Sequence, residues 1–355
     1  MINNLQQIES FLQREILPLA NQIDADPDTL KLALKQMGDH SWLALKVPQE
    51  LGGLGLNETE YGRIQISLAR ISGALTFLQT QHQSAVAKLA QSKNSSLQQE
   101  FLPVVAKGET LIGVGFSHLR RPGLPMMSAS ETVDGYWLTG EVPWITGYGF
   151  FNHFILGATL PDGRELYGLM PLTNQVQQSG GTIAVSAPMK LLVGSGTNTV
   201  SATISQWFLS GDRLVSINPP GTIHQSSRHN VLNHGFFALG TAYEGLDILL
   251  NIASSKKLEF IQESWQTLHQ ELQLIEQRAI AWVADEQIDY HQKLQLRAET
   301  INLAQRCSLA AVVTSSGAAN YQYSSANRVY REAMLFTVSG QTTDVMQASL
   351  NSLLR

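Results

Sequence analysis

The residues whose types and spacing could do chemistry fall in a few short stretches of this chain. In Gly140-Glu141-Val142-Pro143-Trp144-Ile145-Thr146-Gly147 an indole and a hydroxyl stand two positions apart beside a glycine bend. A flat apolar surface with a hydrogen-bonding group next to it is what a planar heteroaromatic ring takes from a protein. A second stretch, Leu111-Ile112-Gly113-Val114-Gly115-Phe116-Ser117-His118, ends in an aromatic ring, a hydroxyl and an imidazole, and Arg120-Arg121 follow. Candidates for proton transfer are His82, in Gln79-Thr80-Gln81-His82-Gln83-Ser84, together with His118, His229, Glu244 and Asp344. Each has a plainer reading: a strand tryptophan buried between layers, a core or capping histidine, a solvated arginine pair, a loop or surface carboxylate.

These residues need elements to position them. From Leu5 to about Ala106 the apolar positions recur at helical spacing, as at Ile8, Phe11, Leu12 and Ile16, with a break at Asp26-Pro27. From Leu111 to about Ile217 short alternating runs replace them, separated by Asp134-Gly135 and Asp162-Gly163, pairs that suit tight hairpins through a positive φ at glycine. Pro219-Pro220-Gly221 closes that region, and long helical patterns return over 236–252, 264–284 and 294–313. The expected organisation is an N-terminal α-helical domain (1–110), a central β-sandwich or barrel-like domain (111–218) and a C-terminal four-helix bundle (219–355).

At 355 residues, with 43% hydrophobic and 15% charged, the chain can bury a sizeable core in more than one unit. A formal net charge of -5 and the lack of a basic run argue against nucleic acid as a partner. The lone cysteine, Cys307, lies in a helical, small-residue segment and reads as buried packing rather than as a disulfide or metal ligand. With neither a leader-like segment nor a membrane span visible, the expected location is cytoplasmic.

Four signposts together resemble the acyl-CoA dehydrogenase family. Val47-Pro48-Gln49-Glu50-Leu51-Gly52-Gly53-Leu54-Gly55-Leu56 is similar to its VPEEYGGLGL loop, and Leu102-Pro103 to Gly108-Glu109 is similar to the entry to its β domain. The Trp144-Ile145-Thr146 stretch is similar to its flavin-facing strand, and Arg331-Glu332-Ala333 stands where the family has Arg-Asp-Ala. The resemblance implies bound FAD, contacted by Phe116, Ser117, Trp144, Ile145, Thr146, Gly317 and Thr342, and oxidation at the CH–CH group of an acyl thioester such as an acyl-CoA. It also implies a homodimer or homotetramer and an electron-transfer flavoprotein as electron acceptor.

The chain departs from the family pattern in several places. His118 to Pro125 replaces the glycine-rich phosphate loop with a segment carrying two prolines, which donate no N–H, although Arg120 and Arg121 could compensate by charge. The usual glutamate base falls on Gly340, and the alternative base position on Arg228. His118, His82 and Asp344 remain as weak substitutes. Ala253 to Phe260 offers Lys256 and Lys257 where an interface arginine is usual, and Ser316-Gly317-Ala318-Ala319-Asn320 keeps the adenine-side turn only in part. Two alternatives follow: a flavin monooxygenase on the same scaffold, with His118 or His82 beside the ring, or a degenerate subunit paired with an active homologue.

Overall fold

The computed structural model describes residues 2–354. Helices come first: α1 (Ile2–Phe11), α2 (Ala20–Ala25), α3 (Pro27–Asp39), α4 (Glu58–Ile71), α5 (Gly73–Ala90) and α6 (Ser95–Val105). Their starts are encoded locally. Asp26 accepts from the Asp28 and Thr29 amides at the head of α3, where Pro27 takes the first position. Asn57 and Glu60 form a reciprocal capping box on α4.

Nine strands follow among the described residues: β1 (Ile112–Gly115), β2 (Met127–Thr132), β3 (Gly135–Ile145), β4 (His153–Thr159), β5 (Glu165–Pro171), β6 (Gln175–Val176), β7 (Thr182–Val185), β8 (Val200–Ser210) and β9 (Leu214–Asn218). They run in the order β6-β7-β8-β3-β2-β4-β5-β9, with β1 parallel to β4. The long β3–β8 pair loses register between Leu138 and Gly140 and again between Val142 and Ile145, so β3 bends just before it delivers Trp144.

The glycines at the two expected hairpins do different jobs. Gly163 has φ +86° in the β4–β5 connection, as a tight turn requires. Gly135 has no positive φ; it is the first residue of β3, paired with Thr132, and the turn is Val133-Asp134. A glycine is needed there for space, since a Cβ would lie 2.2 Å from the Leu209 carbonyl oxygen.

The C-terminal helices are α7 (Thr222–His229), α8 (Asn233–Lys256), α9 (Glu259–Trp282), α10 (Tyr290–Ser315), α11 (Ser325–Val338) and α12 (Thr343–Leu353). Among the described residues only α8 is long and apolar enough to cross a membrane, and 67% of its apolar window is buried inside the molecule. Glycines bring helices close: a Cβ at Gly240 of α8 would meet the Ile66 carbonyl of α4 at 2.4 Å, and one at Gly245 the Cys307 backbone of α10 at 2.8 Å. Cys307 is fully buried, and burial pushes its thiol up to about 12, so it is an inert core residue.

Candidate functional site

A cavity of about 670 Å³ opens where α4, α5, the sheet and the C-terminal helices meet. Its floor on the sheet is Tyr167 of β5 and Phe116 at the end of β1, packed edge to face at 5.6 Å. Glu165 fixes this floor. Its carboxylate accepts the Tyr167 hydroxyl at 2.9 Å and the Ile223 amide at 3.0 Å, tying the head of α7 to β5. Arg120, from the short turn after Phe116, reaches over to donate to Ser227 Oγ of α7 at 2.9 Å. Sheet and helix therefore enter the site as one wall.

The opposite wall comes from α5. Lys88 lies 3.6 Å from the Tyr167 ring centroid, a cation held on an aromatic face. Burial, only partly offset by Glu165, pushes its ammonium down to about 8. Gln83, also of α5, pins a loop: its oxygen accepts from the Leu45 amide and its nitrogen donates to the Trp42 carbonyl. That loop brings Lys46 to the cavity, ion-paired with Glu58 of α4.

At the inner end, α8, α10 and the α11–α12 connection converge. Arg297 of α10 is 2% exposed, donates to the carbonyls of Ser339 (2.7 Å), Gly340 (3.3 Å) and Val231 (3.3 Å), and keeps Nε without a partner. No carboxylate reaches it among the described residues, and burial brings its guanidinium down to about 10. Beside it His234 of α8 shares a hydrogen bond with Ser339 Oγ at 3.1 Å through Nδ1. Burial holds this imidazole well below the ordinary histidine range, and the Arg297 and Arg120 charges add to the effect.

Gly340 lies against His234. It has φ +61°, and a Cβ built on it would stand 2.5 Å from His234 Nε2 and 2.6 Å from Cδ2. The position that carries no side chain is thus backed by an imidazole from another helix, which occupies the volume a side chain would need.

Of the residues singled out from the sequence, Phe116, Arg120, His229 and Gly340 line the cavity. Arg120 is no solvated surface residue; its neighbour Arg121 is exposed, its side chain donating to the Met126 sulfur. The proposed proton-transfer histidines need correction. His82 is fully buried, accepts the Ile112 amide on Nδ1 at 2.9 Å and meets the Val105 carbonyl with Nε2 at 3.1 Å, so both nitrogens join α5 to α6 and β1. His118 is buried with Nε2 on the Gly157 carbonyl at 2.8 Å and does not line the cavity. Asp344, at the head of α12, accepts from Tyr290 and faces Arg228 at the surface. Glu244 is buried in an ion cluster with Arg328 and Glu332. A peroxyflavin-stabilising role for His82 or His118 loses its residues by the same placement.

The residues expected to hold a flavin stand outside the cavity apart from Phe116. Trp144 is 46% exposed on β3, Ile145 is in the core, and the Thr146 hydroxyl is buried against Thr199 Oγ1 at 3.0 Å. Ser117 is exposed at the start of its turn, Gly317 is exposed with open space where a Cβ would go, and Thr342 caps α12 by accepting the Val345 amide. Trp144 and Gly317 are both at the surface, where a flat ring and a nucleotide could be met. The Thr146 hydroxyl is already engaged with Thr199, and that of Thr342 with the Val345 amide. Lys256 donates to the Thr314 carbonyl and Lys257 ends α8 with φ +54°.

The sequence reading passed over Lys88, Tyr167, His234 and Arg297. Only His234 carried a signal, since it directly precedes Gly235, the landmark of the alternative base position.

Residues 4–109 match the family model for the acyl-CoA dehydrogenase N-terminal domain. Mouse mitochondrial very long-chain specific acyl-CoA dehydrogenase is 27% identical over 235 residues, 62% of this chain. Over these residues the chain is similar to the acyl-CoA dehydrogenase family. The chain matches 34% of the mouse protein's length, and is 20% identical to the 3-(aryl)acrylate reductase of Clostridium sporogenes over 70% of itself and 67% of that protein. Its fold is that of butyryl-CoA dehydrogenase from Megasphaera elsdenii (TM-score 0.81, 14% identity, 99% and 97% of the two chains). It is equally that of a glutaryl-CoA dehydrogenase from Mycobacterium smegmatis solved with FADH2 (TM-score 0.82, 15% identity, 98% and 93%).

Proposed function

We propose that this chain is a flavin-dependent oxidoreductase of acyl thioesters in which His234 accepts the α-proton. The observation that carries the reading is the imidazole seated against Gly340, at the edge of the cavity and in the space that a side chain at this position would fill. Trp144 would support the ring, with Phe116 nearer the substrate and Gly317 on the nucleotide side. Bound FAD supplies a two-electron sink for the hydrogen that leaves the β-carbon.

The chain's own contribution is proton transfer and field. With Nδ1–H donating to Ser339 Oγ, the Nε2 lone pair of His234 is free to take the proton as the α C–H bond breaks. Because burial and two arginines keep the ring neutral, the accepting form predominates at neutral pH. The same arginines favour negative charge developing on the substrate.

Loading the purified protein with FAD and adding acyl-CoAs anaerobically tests this. The expected result is bleaching of the flavin spectrum, slowed about 10²- to 10⁴-fold in His234→Gln, the usual range for removing a general base. Failure to take up FAD, or a His234→Gln protein that bleaches as fast as the parent, would end the reading.

A further inference from the structure

The cavity is lined by four full cations, Lys46, Lys88, Arg120 and Arg297, against a single carboxylate, Glu58, which is already paired with Lys46. Glu165, behind the floor, is committed to Tyr167 and the head of α7. The other three cations arrive from α5, the turn after β1, and α10, elements far apart in sequence, and none has a carboxylate within ion-pair distance among the described residues. A buried arginine is ordinarily matched by an acid, and Arg297 at 2% exposure has carbonyl partners and an idle Nε instead. The rest of the lining mixes hydroxyl and amide groups, Thr80, Ser84, Gln91, Asn218 and Asn233 among them, with the apolar surfaces of Tyr61, Ile223 and Phe237.

We propose that this cavity receives a ligand carrying a compact oxyanion, with Lys88, Arg120 and Arg297 as its counter-charges. The proposal names the substrate class for the same site, and rests on the proposed activity only in taking the anion to be part of an acyl thioester. The oxyanion has two possible sources, a carboxylate on the acyl group or a phosphate of the thiol carrier. Lys88 is the residue best placed to test it. Tyr167 and Phe116 hold its ammonium by ring faces alone, so no structural ion pair is lost when it is replaced.

Succinyl-CoA and butyryl-CoA form a matched pair of probes, equal in carbon count and carrier and differing in a terminal carboxylate against a methyl. Titration calorimetry of the FAD-loaded protein with each, and with succinate and inorganic phosphate, is expected to show succinyl-CoA binding at least tenfold tighter than butyryl-CoA. Lys88→Met and Arg120→Met should each remove most of that preference, while Lys35→Met, on the exposed face of α3, leaves it alone. If the two thioesters bind equally and Lys88→Met weakens both tenfold together with inorganic phosphate, the oxyanion is the carrier's phosphate and the charge assignment stands. If neither Lys88→Met nor Arg120→Met alters the affinity of any probe, the proposal is overturned. Succinate binding that depends on Lys88, in a protein whose flavin no thioester bleaches, would remove the proposed activity and leave the anion site in place.

Discussion

At residue scale the decisive feature is the shared volume of Gly340 and His234. Alanine at position 340 would meet two separate penalties, a left-handed backbone with φ +61° and a Cβ 2.5 Å from an imidazole nitrogen. The backbone part should cost about 1 kcal/mol and the clash more. In a His234→Ala background only the backbone part should remain. Urea unfolding of the four proteins of this cycle is expected to show a coupling of about 1 kcal/mol or more, and additive losses would mean the two residues do not compete for space. The electrostatics of His234 add a kinetic expectation. Since its proton affinity is held well below that of a free histidine, first by burial and then by Arg297 and Arg120, the neutral base persists as pH falls through 6.5. The acid limb of kcat/KM, which reports the free enzyme, should therefore lie below 6.5. A limb at or above that value would point to a different base. None of this was legible in the sequence, because His234 and Ser339 are 105 positions apart and only the fold brings α8 against the α11–α12 connection.

At the scale of elements, periodicity and turn chemistry carried far. The changes from helix to strand between Val105 and Ile112, and from strand to helix between Asn218 and Thr222, follow from hydrophobic spacing and from the Pro219-Pro220-Gly221 stop. What spacing could not tell was which faces would meet. His82 is the clearest case: its helical position suggested a pocket residue, whereas it joins three elements through both ring nitrogens. Its imidazole is pressed down to about 4 by burial, against 6.5 when exposed. Between those values the unfolded chain binds the proton and the folded one does not, so His82 lowers stability progressively as pH drops from 6.5 to 4. The total is about 3 kcal/mol, reached near pH 4. A glutamine, whose amide group both donates and accepts, can keep part of the bonding and does not titrate. The stability deficit of His82→Gln relative to the parent should thus shrink by up to about 3 kcal/mol between pH 7 and pH 4 in denaturant titrations. A deficit independent of pH would show that the ring is already accessible to protons in the native state.

At the scale of the whole molecule, the N-terminal helices and the C-terminal bundle are joined by a buried charge cluster. Arg328 of α11 is 2% exposed and donates to Glu332 at 3.0 Å, to Glu244 of α8 and to Asn21 of α2 at 2.8 Å. Glu332 in turn accepts the Gly73 amide at the head of α5, and Arg331 pairs with Asp24 of α2. The Arg331-Glu332-Ala333 signpost read from the sequence is therefore a fastening between units. Removing the arginine would strand two buried carboxylates, a loss of about 3–5 kcal/mol. Arg306→Met, which breaks an exposed pair with Glu271, should cost under about 1 kcal/mol. Because the cluster ties α2 and α5 to α8 and α11, Arg328→Met should weaken both helical units together. Far-ultraviolet circular dichroism and tryptophan fluorescence, which samples Trp42 in the N-terminal unit and Trp265 and Trp282 in the bundle alongside Trp137, Trp144 and Trp207 of the sheet, should then report one shared, shifted midpoint. If the variant instead splits the transition in two, with one unit melting at the parent's midpoint, the fastening acts within the bundle alone and the two helical units owe their association to the apolar contact of α4 with α8.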